Sequence, residues 1–199
     1  MTAKAVGKPR ALRATSPYAP AAPADCRPGR AWPLGATPGE GGVNFAVFAS
    51  GVDRVEVCLF DASGIREERR IALPARTDDV WHGFVEGAVP GTLYGLRVYG
   101  PYDPQNGWRC NPAKLLLDPY ARKLDRPLRG AAWQYAYTLG HDKRDLNADP
   151  ADNATAAAKC VVVDPAFDWG DDAHPATPME DSVFYEVHVR GFTRQMPDV

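Results

Sequence analysis

VNFAVFASGVDRVEVCLF, residues 43–60, decides the fold. Over Val43–Ala49 the apolar residues Val43, Phe45 and Val47 recur at every second position, and over Arg54–Phe60 Val55, Val57 and Leu59 do the same. Successive side chains of a strand point to opposite faces, so each set lines one face of an extended segment. Val80–Glu86 and Thr92–Tyr99 read as two further strands joined by Val89-Pro90-Gly91, with Tyr94, Leu96 and Val98 on one face. Ile65–Leu73 reads as a weaker, charged strand suited to a sheet edge. Turn signals punctuate the series at Gly39-Glu40-Gly41-Gly42 and Asp61-Ala62-Ser63-Gly64. Short alternating strands separated by such turns predict a mainly β chain built as a β-sandwich.

Downstream, GWRCNPAKLLLDPYARKL (107–124) sets an apolar run, Leu115 to Leu117, between Asn111-Pro112 and Asp118-Pro119-Tyr120. Proline fixes φ and disfavours helix at the residue before it, so the run is bounded at both ends. Residues 125–160 are polar with scattered aromatics (Trp133, Tyr135, Tyr137) and a small Ala-rich stretch at 154–158. Val161 to Val163 is a short apolar run, and 164–181 reads as a linker rich in Asp, Pro and Ala. VFYEVHV, Val183–Val189, then reads as a strong strand that needs neighbours on both edges.

The bulk composition narrows the function classes. A chain of 199 residues with 45% hydrophobic and 24% charged residues reads as soluble and globular. Its net charge of −2 gives no electrostatic case for nucleic acid or an anionic membrane. Residues 1–30 carry six basic side chains against Asp25 alone, which leaves the remainder mildly acidic and suited to a neutral polar ligand. Those first residues, rich in Ala, Pro and Arg, are expected to form a disordered tail. They share some character with an organellar transit peptide but lack the apolar core of a secretory signal. No apolar run approaches the ~20 residues of a membrane-spanning helix. The spacing of Cys26, Cys58, Cys110 and Cys160 fits no zinc motif. Four reduced thiols in a cytoplasmic protein is the reading taken, with a disulfide pair left open by the spacing.

Three segments carry a resemblance to a known family: GATPGEGGVNFAVFAS (35–50), VWHGFVEGAVPGTLYGLRVYGPYDP (80–104) continued through residue 124, and VFYEVHVRGFT (183–193). The first two resemble a family 48 carbohydrate-binding module, which is an immunoglobulin-like sandwich. The third resembles the opening strand of the (β/α)8 barrel of glycoside hydrolase family 13. Together they are similar to the N-terminal part of isoamylase-type bacterial glycogen debranching enzymes, which hydrolyse α-1,6 branch links in glycogen or limit dextrin. The resemblance implies a tail at 1–30, the module at 31–124, a mostly irregular connecting segment at 125–181, and the first strand of a truncated barrel at 182–199. The implied partners are an α-glucan and the missing barrel itself, with no nucleic acid, membrane, metal or cofactor. Branching enzyme, trehalohydrolase and pullulanase share module and barrel, and a stand-alone glucan-binding or regulatory module is the alternative outside the enzymes.

By the same resemblance the catalytic carboxylates lie on later barrel strands, and no acid of this chain maps onto them. Retaining glycosidases need both carboxylates, and a barrel takes about 250 residues, so this chain alone is expected to be inactive. Sugar contact would instead rest on exposed aromatics, because a pyranose presents an apolar C–H face that stacks on a ring. The candidates are Trp108, Trp81, Tyr99 and Tyr102, with Asn111 and Lys114 as polar partners. Trp81 reads equally as a buried core aromatic, and Cys110 stands where the family more often has Phe. Tyr185, Glu186 and His188 are candidates to support the sugar cleft of the barrel, and Glu186 with His188 also reads as a structural pair. His82, His141 and His174 form no metal constellation. Asp142, Asp145, Asp149 and Asp152 lack the glycine and terminal Glu of an EF-hand loop, so they are expected to form a solvated acidic loop.

Overall fold

The computed structural model describes residues 26–128 and 130–197. Contacts divide the chain into a first unit ending at Asp164 and a second beginning at Pro165. The first unit is a two-sheet antiparallel sandwich. Its strands are β1 (Cys26–Arg27), β2 (Gly35–Gly39), β3 (Gly42–Phe48), β4 (Arg54–Phe60), β5 (Glu67–Ala72), β6 (Ala75–Thr77), β7 (Val80–Glu86), β8 (Leu93–Tyr99), β9 (Tyr102–Asp103), β10 (Trp108–Arg109) and β11 (Cys160–Val161). One sheet runs β1-β7-β3-β2, with β6 sharing the free edge of β7; the other runs β11-β8-β4-β5. β9 and β10 form a separate hairpin.

The alternation of the sequence fixes the packing. Val43, Phe45, Val47 and Val85 from one sheet meet Val55, Val57, Leu59, Tyr94 and Leu96 from the other in one core. Across the gap, the Phe45 and Tyr94 rings meet edge to face with centroids 5.0 Å apart. The charged strand expected over 65–73 is indeed the edge strand β5. Residues 1–25 of the expected tail lie outside the described residues. Cys26 to Arg30 depart from that expectation, because β1 pairs Cys26 with Val85 and Arg27 with Phe84, and Cys26 is buried in the core. A core position for its side chain and two ladder partners are enough to order that end.

The outer face of the second sheet is not left to solvent. Glu56, Cys58, Arg97 and Tyr99 are all buried there, beneath the segment 111–160. Leu115 packs with Cys58, Phe60, Ala154 and Ala157 in a second apolar cluster. Burial pushes the Cys58 thiol up to about 12. Leu116 exchanges backbone hydrogen bonds with Leu96, at 2.8 and 2.9 Å, and so extends the sheet beside β8. The Leu run therefore joins a third layer, and the connecting segment belongs to the sandwich unit as far as Asp164, with 165–181 in the second unit.

The second unit carries no strand among its described residues. The strand expected over Val183–Val189 is not formed: its side chains are largely exposed and no ladder is present. A strand exists only through a partner's hydrogen bonds, and residues 165–197 supply none.

Candidate functional site

Three loops meet at one end of the sandwich: 49–53 between β3 and β4, the β6–β7 turn at 77–79, and the β9–β10 hairpin. Asp78 and Asp79 both take positive φ, 48° and 64°, as a two-residue hairpin turn requires. Asp tolerates that left-handed region better than branched residues do. Hydrogen bonds from Arg76 and Ser50 hold the Asp79 carboxyl below the usual range, and Asp79 O accepts from Ala49 N at 2.9 Å. The turn thereby fixes the 49–51 backbone. Trp81 adds a second tie, since its Nε1 donates to Ala49 O at 3.0 Å.

Trp108 lies on that fixed loop. A Cβ added at Gly51 would overlap the Trp108 six-membered ring, so ring and backbone are in direct contact. Gly51 also has φ +67°, so glycine serves both the turn and the close approach. One edge of the indole is seated on the protein while Trp108 keeps 39% of its surface exposed. The hairpin that carries it is anchored by Tyr102, whose hydroxyl donates to Asp145 O at 2.7 Å, and by the Arg109–Asp145 ion pair at 2.6 Å.

The other sequence candidates divide sharply. Trp81 is half-buried against the core, which favours its structural reading, and Arg76 lies 5.4 Å from its ring centre. Tyr99 offers no free platform: it is buried, the Arg54 guanidinium covers its ring at 3.8 Å, and its hydroxyl donates to Glu56 at 2.7 Å. Asn111 is used within the protein, donating to Ala136 O and Asp149 O and accepting from Ala113 N. Lys114 is 2% exposed, with its ammonium on Asp149 at 2.7 Å and Ala151 O at 2.9 Å. Neither side chain has a polar group to spare for a hydroxyl.

The acidic loop is not simply solvated. Asp149 and Asp152 pair with Lys114 and Arg97, buried cations that need counter-charges, and Asp145 pairs with the exposed Arg109. Arg97 also reaches Glu67 at 3.1 Å and Pro112 O at 2.8 Å. The Lys159 ammonium donates to Ala154 O and Ala157 O and sits over the Phe60 ring. In the second unit Tyr185, Glu186 and His188 are exposed, Tyr185 meets Phe192 edge to face, and His188 Nδ1 accepts from Gly191 N. Gly51, the seat of Trp108, was missed from sequence, and its only signal was the Ser-Gly turn after β3.

Two antiparallel sheets packed face to face define an immunoglobulin-like β-sandwich. Residues 33–121 match the model of carbohydrate-binding module 48 (isoamylase N-terminal domain). The glycogen debranching enzymes of Salmonella paratyphi B and Salmonella typhimurium are each 48% identical over 171 residues, 86% of this chain and 25% of theirs. The chain thus spans a quarter of the length of the curated relatives it matches, and it is homologous to the N-terminal region of glycogen debranching enzyme. Among solved structures, the catalytic module of the glycogen-degrading pneumococcal virulence factor SpuA is 25% identical with a TM-score of 0.46, over 79% of this chain and 21% of that one.

Proposed function

We propose that this chain is the glucan-binding and scaffolding portion of an enzyme that hydrolyses α-1,6 branch links in glycogen or limit dextrin. The observation that carries this reading is the 48% identity to glycogen debranching enzyme, which extends beyond the module to 86% of the chain. Relatives of the module alone would share the sandwich and not the connecting segment. Trp108 is the glucan contact. Its ring is held on Gly51, is partly open to solvent, and needs no induced ordering to meet a pyranose face.

Scaffolding accounts for the rest. Tyr99, Asn111 and Lys114 bind the protein to itself: Tyr99 ties β8 to β4 through Glu56, and Asn111 and Lys114 tie the start of the third layer to its Ala136, Asp149 and Ala151. We assign no catalytic step to this chain, and place Tyr185, Glu186 and His188 as supports for the cleft of a family 13 barrel. The location is cytoplasmic; four free thiols, three of them buried, support it. Among the described residues no helix is long and apolar enough to cross a membrane.

The test is reducing-end release from phosphorylase limit dextrin. The chain joined to its barrel should release ends from branch points, and the 199-residue chain alone should release none. Turnover by the chain alone, or a joined enzyme that cleaves only α-1,4 links, would refute the proposal.

A further inference from the structure

A groove of about 520 Å3 lies on the connecting segment, lined by Arg126, Pro127, Leu128, Trp133, Ala156 and Ala158. It lies outside the matched module, residues 33–121, and apart from the Trp108 end. Its volume falls within the range of small-molecule sites. Trp133 is the aromatic residue of the lining. One side of its indole packs on the cluster of Cys58, Phe60, Leu115, Ala154 and Ala157, which fixes the ring and leaves it half-buried. Ala131, Ala156 and Ala158 add only methyl groups to the lining, beside the larger Pro127 and Leu128.

The polar element is Arg126. Its Nε donates to Asp125 at 2.8 Å and its Nη2 to Ser63 O at 3.1 Å. Two anchors hold the guanidinium plane still while the side chain stays 40% exposed, and the paired Asp125 neutralises its charge. A packed aromatic ring, a pre-oriented donor and no net charge suit a neutral polyol better than an anion or an acidic peptide.

We propose that this groove is a second α-glucan subsite, which takes a short stretch of an α-1,4-linked chain with one glucosyl ring stacked on Trp133 and a hydroxyl accepting from Arg126. The assignment rests on the glucan-binding reading above. Two weak sites on one rigid unit would grip a branched polymer more tightly than either alone, since the second contact becomes intramolecular.

The experiment is affinity electrophoresis of the full 199-residue chain in gels containing glycogen, with wild type, Trp133→Ala, Ala156→Phe and Trp108→Ala compared. Ala156 is exposed, so the Phe variant blocks the groove without opening the core. Trp133→Ala and Ala156→Phe should each weaken retention roughly threefold to tenfold, the range of one aromatic stacking contact. Both variants migrating like wild type while Trp108→Ala loses retention would overturn the groove and leave the glucan reading standing. Loss in the groove variants with Trp108→Ala unchanged would support the groove and overturn the Trp108 assignment. No retention of wild type would sink both. Wild-type self-association in sedimentation that Ala156→Phe abolishes, with glycogen retention unchanged, would assign the groove to an apolar protein segment and overturn the glucan subsite.

Discussion

Gly95 and Leu115 fit together as socket and plug. A Cβ added at Gly95 of β8 would stand 2.7 Å from Leu115 Cγ and 2.8 and 2.9 Å from its two Cδ atoms. The contact joins the second sheet to the layer formed by 111–160, so the two meet at a point with no spare volume. Gly95→Ala should therefore destabilise the unit by about 1–3 kcal/mol, the usual cost of overpacking. Adding Leu115→Ala should recover part of that loss, giving non-additive urea midpoints. Additive midpoints would show that the two residues do not share the contact.

The same layer sets the boundary of the folding unit. A polypeptide of residues 33–121 keeps the sandwich core but lacks β1, β11 and the 125–160 layer. It would expose Cys58, Phe60 and Arg97 on the outer face of the second sheet. Residues 26–164 should unfold in urea with one cooperative transition, while 33–121 alone should bind a hydrophobic dye and unfold without a sharp midpoint. Equal cooperativity of the two would show that the layer is dispensable.

Two carboxylates, the half-buried Asp149 and the buried Asp118, should respond to pH in opposite directions. The Lys114 ammonium holds the Asp149 carboxyl below its usual range. Its contribution is present above the unfolded value of about 3.9 and is lost as pH falls through the lower folded value. Burial raises Asp118, against hydrogen bonds from Tyr120 N–H and the Tyr94 hydroxyl. That contribution is full below about pH 3.9 and is lost as pH rises through the raised folded value. The stability gap between wild type and Asp149→Asn should thus be widest at neutral pH and close in acid, whereas Asp118→Asn should flatten the decline above about pH 4. A gap for Asp149→Asn that stays constant across that range would contradict the Lys114 pairing.

How much of this was legible in the sequence follows from what each feature depends on. Val43, Phe45, Val47, Val55, Val57 and Leu59 announced the core because strand periodicity is local. Gly35–Gly39 gave no such signal, and it is a strand only through its ladder with β3. The third layer was invisible because Arg97 and Lys114 look like surface residues until Asp152 and Asp149 arrive from distant sequence to pair them, and Lys159 looks like one until the chain folds back to offer the Ala154 and Ala157 carbonyls. At the site, Trp108 stood out as an aromatic after a turn, but its seat on Gly51 is a contact across 57 positions that no local pattern encodes. Tyr99 misled for the matching reason: Arg54 and Glu56, which cover it, lie on the neighbouring strand.

The most direct measurement is the migration of wild-type chain and Trp108→Ala in native gels with and without glycogen. The wild type should be retarded in proportion to glycogen, and Trp108→Ala should run close to its position in the glycogen-free gel while keeping the wild-type urea midpoint. An unretarded wild type, or equal retardation of both, would contradict glucan recognition at this end of the sandwich.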